Sequence, residues 1–212
     1  ILRRQGVVKI LTDLINEYLK KKLPKNQIRR NHFFISEASR KPYDIFKNLT
    51  LGKDYPPKMR RLFEIGKATH RRLCRYLKEM GVLIAEEVPV GDELFRGVVD
   101  AVIKVPGEEA MPLEIKTVGR KEFDRIIRKG VPTWHSYVQF QLYLHFLNKE
   151  RGRILFVEAN TLEDYIMPLE NYRPEQRMKE FTVRKNPEVI AETTGRFRKL
   201  REVFVHGGAM LR

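Results

Sequence analysis

Gly97 to Thr117 reads GVVDAVIKVPGEEAMPLEIKT, two apolar runs on either side of Pro106-Gly107-Glu108. That pattern predicts two strands joined as a hairpin. With the turn centred near Gly107, antiparallel pairing sets Asp100 opposite Glu114, each seven residues from the centre. Lys116, two residues beyond Glu114, points to the same face. The other face takes Val99, Ala101, Ile103, Leu113 and Ile115, which a strand pair needs to pack on a core. One register therefore serves both faces.

Two carboxylates across a ladder repel and raise one pKa, a cost that a divalent cation removes by taking oxygen ligands from both. A lysine beside them can neutralise a phosphate or help to deprotonate a water. An ion-pair cluster on a solvated strand face uses the same three residues. The rest of the chain has to decide between these readings.

A chain of 212 residues, 42% hydrophobic, can bury one core with a helical annex, and no apolar run is long enough to cross a membrane. The single cysteine, Cys74, excludes an internal disulfide and any four-cysteine zinc or iron-sulfur site, and it suits a reducing cytosol. A cytoplasmic or otherwise intracellular location is expected. The basic, amphipathic N-terminus lacks a small-residue cleavage site and is not read as a signal peptide, though a start without Met leaves a lost leader open. Charge is uneven: residues 1–80 hold 21 Lys+Arg against 7 Asp+Glu, residues 81–212 hold 21 against 20, and the net is +15. Such asymmetry implies a polyanion partner, with nucleic acid ahead of an anionic membrane.

In chain order, Val7 to Leu23 has helical periodicity and ends in Lys20-Lys21-Lys22, which either complement the helix dipole or contact phosphate. Phe33-Phe34-Ile35 leads into a second helix capped by Ser36, with Arg40, Lys41 and Lys47 outward and Tyr43 and Phe46 available to stacked bases or, the better reading, to the core. Pro56-Pro57 marks a boundary between a basic helical annex, 1–57, and a core, 58–212. A helix over Lys58 to Met80, closed by Gly81, lines up Leu62, Gly66, His70, Leu73 and Leu77, with Arg60, Arg61, Arg71, Arg72 and Arg75 around them. A lone histidine on such a stripe is ordinarily a satisfied core residue.

Strands are expected at Val82 to Val90, Leu94 to Lys104 and Met111 to Val118, then a basic helical or looped insert at Gly119 to Gly130 that could lid the site. Val131 to Glu150 is a buried helix on which His135, Gln139 and Tyr143 recur every four residues. Burying that stripe unpartnered costs roughly 1 to 3 kcal/mol per group, so it must meet something polar. Arg153 to Ala159 and Tyr165 to Leu169 form a further hairpin with Glu158, Glu163 and Asp164 exposed, and a helical tail over Arg173 to Phe204 breaks at Asn186-Pro187.

Gly66…His70, Asp100, Glu114-Ile115-Lys116 and Gln139…Tyr143 follow one another as GxxxH, D, ExK and QxxxY. In that order they resemble the RecB-like branch of the PD-(D/E)xK nuclease superfamily. The Ser36 segment also resembles the N-terminal serine-containing, basic and aromatic helix of those enzymes. Iron-sulfur members carry one cysteine there and three near the C-terminus, and this chain has none at either place, so no cluster is expected.

The resemblance implies an α/β fold: a mixed central β-sheet flanked by helices, a restriction-endonuclease-like core, with the N-terminal basic helical annex. It implies that Asp100, Glu114, His70 and the Ile115 carbonyl hold one or two Mg2+ or Mn2+ ions. Lys116 then assists the attacking water or the phosphate, while Gln139 and Tyr143 orient Lys116 or its strand. The implied substrate is DNA, single-stranded or at duplex ends, cut as by an exonuclease, with a helicase or another recombination or replication protein as partner. Lys20, Lys21, Lys22, Arg40, Lys41, Arg71, Arg72 and Arg75 are the expected nucleic-acid contacts. The competing readings are a binding module that no longer cuts and a basic recruiting subunit.

Overall fold

The structure, a computed structural model, describes residues 18, 30–52, 55–159 and 178–208. Its sheet has six strands: β1 (Phe33–Phe34), β2 (Leu83–Gly91), β3 (Phe95–Ile103), β4 (Met111–Val118), β5 (Arg151–Glu158) and β6 (Met178–Arg184). The helices are α1 (Pro42–Leu51), α2 (Pro57–Glu79), α3 (Arg120–Lys129), α4 (Trp134–Phe146) and α5 (Pro187–His206).

The organising hairpin has the expected register, Ala101 facing Leu113 and Ile103 facing Met111. Its turn is set by Pro106-Gly107: Val105 O accepts from Glu108 N at 3.0 Å and Gly107 has φ of +79°. Proline followed by a residue with positive φ is what a type II turn requires. β4 is buried along most of its length, as a central strand must be. It pairs antiparallel with β3 and parallel with β5, and the parallel step needs the long crossover that α3 and α4 supply. The sheet is thus mixed, with β6 antiparallel on β5.

Alternation divides the side chains between two layers. Leu113 and Ile115 join Ala101, Ile103 and Val157 against Cys74, Leu73 and Leu77 of α2. On the other face Ile154 and Phe156 join the larger cluster that holds Phe140, Leu142 and Tyr143 of α4 and Phe197 and Phe204 of α5. Val99 belongs to this larger cluster although Ala101 and Ile103 belong to the smaller one.

The sequence expectations require several corrections. No helix starts at Ser36: Phe33 and Phe34 form a strand parallel to β3, Ile35–Glu37 is a short 3-10 turn, and α1 begins at Pro42. Proline at the first helical position explains that start. Tyr43 and Phe46 are exposed, because Ile45 and Leu49 are the residues of α1 that reach the core. Phe33, Ile35, Ala38, Ile45 and Leu49 all sit in the larger cluster, so the segment that carries them packs into the same core. The basic insert is a helix whose Phe123 and Ile126 are buried, which anchors it to the sheet side. β5 pairs with β6, part of the expected helical tail, while Tyr165 to Leu169 lies outside the described residues, as do Val7 to Leu23 apart from Tyr18. The predicted break is the start of α5, where Asn186 caps Glu188 and Val189 through its side chain. No described helix is long and apolar enough to cross a membrane.

Candidate active site

β3 changes neighbours along one edge. Phe95 and Arg96 pair with β1, Ala101 to Ile103 pair with β4, and the backbone between them has neither strand beside it. Side chains take over its hydrogen bonds. The Val98 carbonyl accepts from Tyr143 OH at 2.9 Å, and the Ile115 N–H donates to Asp100 Oδ2 at 2.7 Å in place of a ladder partner. Gly97 permits this approach: a Cβ there would lie 2.9 Å from Ile35 Cδ1 and 3.1 Å from Tyr143 Cε1. The split in the sheet therefore makes room for a polar site between its two layers.

α4 fills that room from one side. Gln139 Nε2 donates to Glu114 Oε1 and to Tyr143 OH, both at 2.9 Å, and Gln139 Oε1 accepts from Lys116 Nζ at 2.9 Å. Lys116 Nζ is also 2.6 Å from Glu114 Oε1. Within the polar stripe of this buried helix, Gln139 is satisfied by Glu114 and Lys116 of β4, and Tyr143 by Gln139 and the Val98 carbonyl of β3. From the other layer, α2 brings His70 Nε2 to 4.0 Å from Asp100 Oδ1.

Two atoms in this cluster are left over. His70 Nε2 and Glu114 Oε2 are buried without a hydrogen-bond partner. Ile115 sends its carbonyl out on the same edge as its N–H, toward β3 where the ladder has stopped. Unpartnered buried donors and acceptors are costly, and an imidazole nitrogen with carboxylate and carbonyl oxygens suits a hard or borderline divalent cation. As the side chains stand, no group of three His, Cys, Asp or Glu among the described residues is close enough to cage an ion. Lys116 and Gln139 hold Glu114 by Oε1, which leaves Oε2 as its available atom.

Electrostatics follow burial. Loss of solvation pushes Glu114 up to about 7, against the pull of Lys116 and with help from Asp100. Asp100 is raised for the same first cause, opposed by the Ile115 N–H and Lys116. Burial also raises the Tyr143 phenol, so it remains a donor to Val98. Loss of solvation, then the charges of Lys116 and Arg40, hold His135 below its ordinary value.

The other expected residues lie outside this cluster. Arg71, Arg72 and Arg75 are exposed on α2, the last 3.7 Å from Glu79. Arg40 and Lys41 sit just before α1, Lys41 exposed, and Lys20, Lys21 and Lys22 are outside the described residues. Arg60 is buried, with Nε donating to Tyr55 O. Glu158, expected on an exposed edge, is buried with Oε1 3.6 Å from Arg120. Unanticipated contacts include Ser39 Oγ with His135 Nδ1 at 2.5 Å and the Val98 carbonyl with Tyr143. The HxxxQxxxY spacing marked His135 and Tyr143, but nothing local could reveal a partner 96 positions away. Cys74 packs among apolar side chains, and burial pushes its thiol up to about 11.

The mixed sheet with flanking helices is the fold of solved nuclease structures. CRISPR-associated exonuclease Cas4 of Saccharolobus solfataricus is 25% identical over 168 residues, 72% of this chain and 78% of that protein. The crystal structure of the alkaline exonuclease LHK-Exo from Laribacter hongkongensis matches with a TM-score of 0.58 at 13% identity, over 85% of this chain and 91% of the other. LHK-Exo in complex with dAMP gives 0.56 at 16% identity, over 86% and 96%. At these identities the structural likenesses establish the fold. No model of a protein family matches the chain.

Proposed function

We propose that this chain is a DNA nuclease, an exonuclease acting on single strands or duplex ends, that depends on Mg2+ or Mn2+. The observation that carries the reading is the bonded set of Glu114, Lys116, Gln139 and Tyr143 beside Asp100, with His70 Nε2 and Glu114 Oε2 unpartnered in its midst. The relatives support it: two are exonucleases by name, and one was crystallised with dAMP.

Asp100, Glu114, His70 and the Ile115 carbonyl would hold the cation. Once bound, it supplies Lewis acidity, making a water more acidic and balancing charge that gathers on the phosphate. The protein's own residues do the rest. Lys116, fixed by Gln139 Oε1, presents a positive charge where a phosphate oxygen or attacking water would stand. Gln139 bridges Lys116, Glu114 and Tyr143, so α4 sets the orientation of the whole ExK strand. Tyr143 ties the same helix to β3 through Val98. The exposed Arg71 and Arg72 add sequence-independent attraction for the backbone.

Digestion of end-labelled single- and double-stranded DNA and RNA, with Mg2+ or with chelator, tests the reading. It predicts Mg2+-dependent release of short products from DNA ends. Tight binding with no cleavage in any divalent ion would leave the non-cutting binding module in its place.

A further inference from the structure

α4 opens with a side chain that the core does not use. Trp134, the single tryptophan of the chain, is 62% exposed and stacks on Tyr137 with centroids 5.8 Å apart and planes at 28°. An indole is ordinarily recruited for the area it buries, and this pair leaves much of that area to solvent. The two rings line an open cavity of about 880 Å3, to which Arg125 and Lys129 of α3 and Arg184 of β6 also contribute. Among the described residues, no Asp or Glu lines it. Arg125 shares its guanidinium with Glu122, 2.5 Å away, while remaining exposed.

The cavity adjoins the site already described. His135 lines it, and Gln139, one turn further along α4, bonds to both Lys116 and Glu114. From Trp134 to Gln139 the helix rises about 7.5 Å, roughly two nucleotide steps at the 3.4 Å rise of a strand. Flat aromatic faces ringed by cations suit unpaired bases: every base has a π-face to stack, and its phosphates meet the Arg and Lys heads. Bases within a duplex are already stacked and cannot reach such a platform.

We propose that this cavity is a base-stacking subsite for single-stranded DNA, with a base on the Trp134 and Tyr137 pair and the flanking phosphates against Arg125, Lys129 and Arg184. It rests on the nuclease reading for its position in a substrate path, but its own test is binding. Because Trp134 is the single tryptophan, its fluorescence reports the subsite directly.

The full chain is titrated with a (dT)12 oligonucleotide in chelator, and with a blunt hairpin duplex of equal nucleotide number. Saturable quenching by (dT)12, and much less by the hairpin, is expected. Trp134→Ala should weaken (dT)12 binding roughly five- to hundredfold and raise KM for it, and Trp134→Phe should recover most of both. Hydrolysis of bis(p-nitrophenyl) phosphate, too small to reach the platform, should be unchanged in either variant.

Equal quenching by the hairpin overturns the single-strand assignment. Unmoved fluorescence, with Trp134→Ala at wild-type affinity, overturns the subsite even if the protein cuts DNA. A blue shift that grows with protein concentration and needs no DNA assigns the face to a second copy instead. Quenching in a protein that cleaves nothing supports the subsite while the nuclease reading fails.

Discussion

Glu114 and Glu158 are both buried glutamates, on the neighbouring strands β4 and β5, and each keeps one oxygen without a hydrogen-bond partner. Their surroundings differ. Glu114 is held by Lys116, whose side chain is 24% exposed, and by a glutamine that is itself buried, so most of its polar shell lies inside the fold. Among the described residues, Glu158 meets one guanidinium, that of Arg120, whose side chain is 68% exposed. A carboxylate whose partner can rehydrate is a local ion pair, worth little. A carboxylate gripped at one oxygen by largely enclosed partners is pinned in one orientation, as a reacting group must be. Burial alone therefore does not mark the site; the enclosure of the partners does.

The comparison breaks most sharply at Lys116. Lys116→Ala should lower turnover by at least about a hundredfold while divalent-ion and DNA binding persist, since an ammonium does not coordinate a cation. Asp100→Ala should lose metal affinity as well as turnover. Calorimetric titration with Mg2+ and a gel assay on both variants check this. Wild-type cutting by Lys116→Ala would place Glu114 in the same class as Glu158, an ion pair on a strand.

His70→Ala comes next. His70 faces Asp100 from the opposite layer with Nε2 unpartnered, so its loss should raise the Mg2+ concentration for half-maximal activity by about tenfold or more. DNA affinity should hardly change. A variant that merely melts earlier, with normal metal dependence, would make His70 a core histidine.

A smaller effect concerns pH. Glu114 titrates at about 7 in the folded chain against an ordinary 4.5. Between these values the folded state keeps a proton that the unfolded chain has released, so stability should fall as pH rises through that window. Thermal melts in chelator should show this decline, Glu114→Gln should flatten it, and Mg2+ should restore wild-type stability near pH 8. A wild-type profile that rises with pH in chelator would show that Lys116 outweighs burial at this carboxylate.

How much of this was legible depends on how local each cause is. The hairpin was readable because its alternation and its Pro106-Gly107 turn are written within Gly97 to Thr117. The α4 stripe was readable because spacing of four residues fixes a face, whatever packs on it. By contrast, β1 is two residues long and exists through pairing with β3, so Phe33-Phe34 carries no periodicity of its own. β6 lay inside an expected helix because its alternation is interrupted by charge: Lys179, Glu180 and Arg184 line an edge strand that needs such residues. Glu158 looked exposed because a strand end rich in polar neighbours usually is, and the helix that brings Arg120 over it is a tertiary fact.

The smallest effect is expected at Glu158 itself. Glu158→Gln keeps the shape and removes the charge, and the Arg120 left behind stands mostly in water, so the desolvation penalty that makes a broken buried pair severe does not arise there. The melting temperature should move by a few degrees at most, and cleavage of an end-labelled strand should stay within about threefold of wild type. Glu114→Gln, the same chemical change one strand away, should abolish cleavage under the same conditions. Measured side by side, the two substitutions differ in the enclosure of the partners and in little else. If Glu158→Gln were as inactive as Glu114→Gln while remaining folded, the reacting surface would extend along β5 to the start of α3, and Arg120 would have to be counted among the groups that face the phosphate.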